Sequence, residues 1–201
     1  LTSSGSRENL DKAILSGSMP AILAESFPAL RTYCPILPSV SAPQALFLLL
    51  DTTEALYGGA VGGGKTGALL MAALQYVDVP DYAALILRRT FPELEQPDGP
   101  IPQSLRWFAQ APESIRPEYN RTDHEWTFPS GAVIRFGHLD HANAMIRYQG
   151  GGYSFFGFDE LTHFEEQSYE FIGLSRTRRP ASGALSHVPM RIRASANPGG
   201  P

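Results

Sequence analysis

Residues 59–66 read Gly-Ala-Val-Gly-Gly-Gly-Lys-Thr and fit the pattern G-x-x-x-x-G-K-[ST] without a mismatch. Glycines in such a loop allow left-handed backbone conformations, so successive N–H groups can point inward around an anion. The Lys65 ammonium suits the β- and γ-phosphates of a nucleoside triphosphate, and the Thr66 hydroxyl suits Mg²⁺. The pattern therefore predicts a nucleotide site at Gly59, Gly62, Gly63, Gly64, Lys65 and Thr66.

The segments that flank this loop predict the strand–loop–helix setting that the pattern requires. Residues 53–57 indicate a short strand entering the loop, and residues 66–77 indicate an Ala/Leu-rich buried helix leaving it. The helix would add unpaired N–H groups and the positive end of its dipole. The alternative is a flexible glycine-rich turn that happens to carry Lys-Thr, and the flanking pattern disfavours it.

Strands and helices alternate along the rest of the chain. Apolar runs predict buried strands at 83–87, 153–158 and 190–195. Helices are expected at 104–109, 140–148 and 165–174, a loop at 91–102, and a β-hairpin at 125–128 and 132–136. The sequence thus predicts an α/β P-loop NTPase fold (ASCE/RecA-like), with a mostly parallel central sheet flanked by helices, plus a β-hairpin insertion.

Residues 1–42 differ from the remainder because prolines punctuate them, which disfavours central strands. We expect an N-terminal extension here, with one helix around 8–15, that wraps the domain or links it to a partner. Residues 43–201 are expected to form the P-loop ATPase domain, opened by an apolar helix over 44–51.

Composition excludes several protein classes. Cys34 is the only cysteine, which excludes an internal disulfide framework and is compatible with a reducing cytosol. The longest apolar run, 45–50, is too short to span a bilayer, and no signal peptide is visible, so we expect no membrane association. The net charge of −4 argues against a nonspecific nucleic-acid coat, although it permits a local basic channel.

Asp159 and Glu160 follow directly after an apolar strand. In a P-loop enzyme, an acid at this place holds the Mg²⁺ shell, directly or through water, and we assign this role to Asp159. Glu160 can polarise an attacking water as a general base. An ordinary acidic helix N-terminus is the alternative, but the upstream P-loop favours hydrolysis.

Other polar residues also fall at predicted strand ends, where ligands bind in α/β sheets. Asn197 could sense the γ-phosphate, or Asn-Pro-Gly-Gly could be only a turn. Phosphoryl transfer usually needs a further cation, and the P-loop contains no arginine. Arg147, which lies close to a Gly150-Gly151-Gly152 run, is the best-placed donor; its competitors are Arg88, Arg89, Arg176, Arg178 and Arg179.

In combination, these motifs resemble the ATPase domain of phage large terminases, the DNA-packaging motors. The resemblance covers roughly three quarters of the chain, the share left after the 1–42 extension. It rests on Pro43-Gln44, GGAVGGGKT at 58–66, ALILRRTFPEL at 84–94, IRYQGGGYSFFGFDELTHF at 146–164 and SANP at 195–198.

The resemblance implies a role for each matching residue. Gln44 would be the adenine-side glutamine, and Lys65 with Thr66 the first Walker motif. Asp159 with Glu160 would be the second Walker motif, and 195–197 the motif that couples hydrolysis to domain movement. Arg147 would match an arginine that reaches the ATP of a neighbouring subunit.

The implied function is ATP hydrolysis, with Mg²⁺, to translocate double-stranded DNA into a procapsid. The implied partners are other copies of the chain in a ring, a portal protein and a small terminase, and the implied location is the host-cell cytoplasm. The family's RNase-H-like nuclease domain would be absent from this chain, so no nuclease activity is expected from it. The alternatives are a helicase- or recombination-type ATPase and a nucleotide-gated binding module with little turnover.

Overall fold

The chain builds one seven-stranded sheet with the strand order β1-β7-β6-β2-β5-β4-β3. A computed structural model describes residues 18–60, 62–140, 142–148, 152–171 and 183–197. The strands are β1 Glu54–Gly58, β2 Ala83–Arg88, β3 Glu118–Asn120, β4 Glu125–Thr127, β5 Val133–His138, β6 Phe155–Phe158 and β7 Arg191–Ala196. In the order of the sheet, the five strands β1, β7, β6, β2 and β5 are parallel to one another. Strand β4 is antiparallel to β5, and β3 is antiparallel to β4.

Helices cover the sheet. They are α1 Met19–Ser26, α2 Pro28–Tyr33, α3 Ala42–Leu49, α4 Lys65–Leu74, α5 Phe91–Leu94, α6 Pro100–Phe108 and α7 Glu166–Tyr169. Within the described ranges, no helix is both long enough and apolar enough to traverse a bilayer.

The sheet has two apolar faces because side chains alternate along each strand. On β2, Ala84 and Ile86 join the larger core cluster, which α1 to α4 and α6 cover. Leu85 and Leu87 of the same strand join a second cluster on the opposite face. Burial on both faces explains why the central strands read as continuous apolar runs rather than as alternating patterns.

Helix α4 lies at the centre of the larger cluster, packed against β7, β6 and β2. Nine of its ten residues are buried, as expected for a short helix that is apolar on every side. Its N-cap is Gly64, whose φ of 67° is left-handed and therefore favours glycine. The N-cap of the helix is thus the loop residue that the nucleotide pattern requires to be glycine.

The predicted fold class is confirmed, and several elements differ in detail. The hairpin is present as β4–β5, but β5 also pairs with β2, so the hairpin extends the main sheet. Helix α6 begins at Pro100, inside the predicted loop, because proline is well tolerated in a first helical turn. The predicted loop also contains α5, and the helix expected at 140–148 is a 3₁₀ segment at Ala142–Tyr148.

Strand β3 was not predicted, because three residues are too few to show an alternating pattern. The predicted helix at 165–174 is described up to residue 171, and α7 occupies only Glu166–Tyr169 of it. The predicted helix around 8–15 lies outside the described residues.

The described part of the N-terminal segment packs against the domain. Leu23 of α1 and Leu30 of α2 are fully buried in the larger core cluster. Tyr33 makes edge-on ring contacts with Phe108 and Phe128, and its hydroxyl donates to the Ile115 carbonyl over 3.0 Å. Residues 19–33 therefore contribute to the same core as the sheet.

Candidate functional site

The parallel strands bring the predicted site residues to one edge of the sheet, as the carboxyl ends of parallel strands do. The loop after β1 carries the P-loop pattern, β6 ends before Asp159, and β7 ends before Asn197. Strand β7 lies between the P-loop strand and the strand that leads to Asp159. Helix α4 packs against β7 and β6 and brings Thr66 within reach of Asp159.

Lys65 is held inside its own loop. Its Nζ donates to the carbonyls of Gly59 and Ala60 at 3.0 and 2.8 Å, and the residue is only 7% exposed. These two carbonyls hold the ammonium beside the loop that the pattern assigns to phosphates. An anion in the loop would offer the same ammonium a charged acceptor, which makes a stronger hydrogen bond than a neutral carbonyl.

Gln44 ties α3 to the P-loop. Its Nε2 donates to the Gly64 carbonyl over 3.0 Å, and its Oε1 accepts from the backbone and the hydroxyl of Ser41, both at 3.0 Å. Ser41 and Gln44 form a capping box at the start of α3. A Cβ on Gly64 would lie 2.5 Å from the Gln44 Nε2, so close packing is a second reason for glycine there.

Asp159 is 1% exposed and receives hydrogen bonds from the P-loop helix and from β7. The Thr66 hydroxyl lies 3.1 Å from Oδ2, and the Ser195 hydroxyl donates to Oδ1 over 2.7 Å. Because the Thr66 hydrogen faces Asp159, the lone pairs of its oxygen stay free for a cation. Both predicted Mg²⁺ ligands therefore lie in one cluster.

Arg88 at the end of β2 completes the surroundings of Asp159. Its Nε and Nη2 lie 2.7 and 2.6 Å from Oδ2, and its Nη1 donates to the Glu93 carbonyl over 3.1 Å. Both partners are buried, Arg88 at 9% exposure. The sequence indicated Arg88 only as a competitor of Arg147 for the further cation of phosphoryl transfer. The pairing of Arg88 with Asp159 is seen only in the structure.

Glu160 follows the end of β6 and contacts residues at the end of β7. Its φ of 61° is left-handed, a strained value for a residue with a side chain, and such strain is concentrated at functional sites. Its N–H donates to the Ser195 hydroxyl over 3.1 Å, while the Asn197 amide donates to both carboxylate oxygens at 3.0 and 2.9 Å. Asn197 thus contacts the predicted base.

The donor set at Thr66 and Asp159 suits Mg²⁺ bound together with phosphates. Mg²⁺ takes oxygen ligands and is usually held by one or two carboxylates plus substrate phosphates. In the described ranges, no group of three or more His, Cys, Asp or Glu could hold a metal ion alone. A bound nucleotide would supply further oxygen ligands from its phosphates.

Arg147 does not join this cluster. It lies in the 3₁₀ segment Ala142–Tyr148, is exposed, and contacts the ring of His138 at 2.9 Å. His138 ends β5, which lies four strands from β1, roughly 19 Å at ordinary strand spacing. Arg147 therefore has no described contact with the P-loop or with the two acids of its own chain, and its action on a second copy stays a prediction.

Comparison with known proteins identifies the family. Residues 56–177 match the family described as "Terminase large subunit, T4likevirus-type, N-terminal". The chain belongs to this large terminase family. A large terminase from a thermophilic bacteriophage shares its fold, with a TM-score of 0.59 and 16% identity over 79% of this chain. The alignment spans 39% of that protein's length. No curated protein sequence matches the chain.

Two further residues position the segment that carries Arg147, and the sequence pattern did not single them out. The Tyr148 hydroxyl accepts from the His138 N–H over 3.0 Å, which ties the segment of Arg147 to the end of β5. Burial raises the pKa of Tyr148, so the phenol stays protonated. A Cβ on Gly137 would clash with this hydroxyl, so glycine allows the approach. The glycine inside the strand pattern was the available signal.

Arg176, Arg178 and Arg179 lie outside the described residues, as does Val61 of the P-loop. Arg89 is described, and it donates to the His163 carbonyl over 2.9 Å at the protein surface.

Proposed function

We propose that this chain is the ATP-hydrolysing motor domain of a large terminase, which uses ATP and Mg²⁺ to translocate double-stranded DNA into a viral procapsid. The observation that carries the proposal is the pair of linked carboxylates at the strand ends. Asp159 contacts Thr66 of the P-loop helix, and Glu160, the next residue, has both oxygens bound to Asn197. Asp159 thus lies beside the P-loop helix, where the phosphates would bind. Glu160 is held by Asn197 and is left for a different role, which we assign as activation of water.

The chain's residues would divide the reaction as follows. Lys65 binds the β- and γ-phosphates, and Gln44 lies on the adenine side. Thr66 and Asp159 would hold Mg²⁺, which would neutralise charge on the phosphates. Glu160 accepts the proton of the attacking water as the water oxygen bonds to the γ-phosphorus and the bond to the ADP oxygen breaks.

Asn197 and Ser195 position Glu160 in this scheme. The Asn197 amide contacts both carboxylate oxygens, and the Ser195 hydroxyl accepts from the Glu160 N–H. Because Ser195 also donates to Asp159, β7 contacts both acids. A displacement of β7 would shift both acids together, which is what a motif that couples hydrolysis to movement requires.

A second copy of the chain would supply the missing cation. Arg147 is exposed and four strands from the P-loop strand, so a head-to-tail contact could bring it to the nucleotide of a neighbour. Such contacts between two different surfaces form a closed ring when the rotation from one copy to the next closes. We therefore propose a ring in the host-cell cytoplasm that docks on the procapsid, with the portal protein and the small terminase as partners.

The test is nucleotide hydrolysis in the presence of double-stranded or single-stranded DNA, with Lys65→Ala as the inactive control. We expect hydrolysis by the wild type that double-stranded DNA accelerates more than single-stranded DNA does. Preference for single strands would favour a helicase-type ATPase. Tight ATP binding without turnover under every condition would favour a nucleotide-gated binding module.

A further inference from the structure

The acceptor capacity of Asp159 is filled in this structure. An ionised carboxylate offers about four lone-pair sites. Two N–H groups of Arg88 contact Oδ2, the Ser195 hydroxyl contacts Oδ1, and the Thr66 hydroxyl reaches both oxygens at 3.1 and 3.3 Å. A cation that approached Asp159 would meet three donor side chains, one of which is itself a cation.

The charges around the P-loop are already balanced. Lys65 and Arg88 carry positive charge, Asp159 and Glu160 carry negative charge, and three of these four residues are buried. A free Mg²⁺ ion would add two positive charges beside the Arg88 guanidinium, in a region where water screens little. A nucleoside triphosphate brings more negative charge than the ion brings positive charge, so the complex of the two does not meet this repulsion.

We propose that Arg88 is a specificity-determining counter-cation, which keeps free Mg²⁺ away from Asp159 so that the ion is accepted only together with a nucleoside triphosphate. The inference rests on the proposed function, because it concerns the Mg²⁺ position of the same site. Exclusion of the free ion is a role that Arg147 and Lys65 do not share, because their described contacts do not include Asp159.

A purely structural ion pair is the alternative, and it has a different consequence. If Arg88 only stabilised the fold, then its loss would destabilise the chain whether or not Mg²⁺ is present. If Arg88 excludes the free ion, then its loss leaves the buried Asp159 carboxylate without a cationic partner. Mg²⁺ can then bind where the Arg88 guanidinium was. Rescue by Mg²⁺ alone therefore separates the two roles.

The experiment measures thermal unfolding without nucleotide, in millimolar MgCl₂ and in NaCl of equal ionic strength. Arg88→Gln removes the charge, and Arg88→Lys keeps it. The matched control is Arg89→Gln, because Arg89 is the next residue and contacts a backbone carbonyl at the surface. We expect Mg²⁺ to raise the Tm of Arg88→Gln by about 3 °C or more and to move the other three proteins by less than about 1 °C.

The double variant Arg88→Gln/Asp159→Asn should lose the response, which would locate the ion at Asp159. An equal response of Arg88→Gln and wild type to Mg²⁺ would overturn the inference. If Arg88→Gln does not fold in NaCl, then the yield of refolded protein is compared in the two salts. A higher yield in MgCl₂ for Arg88→Gln, but not for the double variant, supports the proposal, and equal yields refute it.

A parallel measurement with MgATP separates this inference from the proposed function. A wild type that MgATP does not stabilise would contradict ATP binding. The response of Arg88→Gln to Mg²⁺ alone would still decide whether Arg88 excludes the free ion.

Discussion

Replacement of Gln44 by alanine tests whether this side chain holds the P-loop in place. Gln44 closes the capping box of α3 through Ser41 and donates to the carbonyl of Gly64, the N-cap of α4. The substitution leaves the Ser41 cap in place, but it removes the bonds of the Gln44 amide to the Ser41 N–H and to the Gly64 carbonyl, each worth about 1 kcal/mol. We therefore expect Gln44→Ala to lower the free energy of unfolding by about 2 kcal/mol. For a chain of this length, that loss lowers Tm by about 6 °C.

Urea and thermal unfolding followed by circular dichroism measure this loss. The matched control is Gln110→Ala, because Gln110 is exposed and its amide donates to the Arg106 carbonyl, four residues earlier in the chain. The control should change the free energy of unfolding by about 0.5 kcal/mol at most. A Gln44→Ala variant as stable as Gln110→Ala would refute the claim that Gln44 ties α3 to the P-loop.

Nucleotide binding by Gln44→Ala separates two roles of the same residue. A displaced Gly64 would weaken the binding of ATP and GTP equally, because both carry the same triphosphate. A contact with adenine, as the proposed function assigns to Gln44, would add a loss for ATP alone. We expect both effects, so that ATP affinity falls more than GTP affinity. Unchanged affinity for both nucleotides would contradict both roles.

Three further predictions concern other parts of the chain. Burial raises the pKa of Cys34 from 9.0 to about 12, so the folded state binds this proton more tightly than the unfolded state. The stability that results is complete below about pH 9 and is lost between about pH 9 and 12. In urea unfolding, Cys34→Ala should flatten this dependence of the free energy of unfolding on pH. An unchanged slope in the variant would contradict the prediction. Asn197→Ala should slow ATP turnover about tenfold with little change in MgATP affinity, because Asn197 contacts Glu160 and not the loop; normal turnover would exclude a positioning role. Lys65→Ala and Arg147→Ala proteins should each be inactive and should regain activity when mixed, whereas no recovery at concentrations that assemble would argue against an arginine acting between copies.

Local patterns predicted most of the fold, because the central strands are buried on both faces and read as apolar runs between helices. The glycine-rich loop and the Asp159-Glu160 pair could be singled out because the proposed chemistry requires fixed residue types at fixed places. Strand β3 could not be predicted from three residues, and the start of α6 was obscured by prolines that suit a first helical turn as well as a loop.

The contacts within the site were less predictable than its residues. The pairing of Arg88 with Asp159 joins residues 71 positions apart, and it depends on β2 lying next to β6. Sequence alone places both residues at strand ends but gives no strand order. The strained backbone of Glu160 likewise depends on its contacts with β7 and has no local sequence signal.

Phosphate release from MgATP by wild type and Glu160→Gln, at equal nucleotide occupancy, tests the central claim most directly. The substitution keeps the size of the side chain and removes the carboxylate that would accept the proton of water. A general base contributes about a hundredfold or more to the rate, so Glu160→Gln should bind MgATP as the wild type does and release phosphate at least about a hundredfold more slowly. Release within about twofold of the wild-type rate would contradict the assignment of Glu160 as the base and of this edge of the sheet as the hydrolytic site.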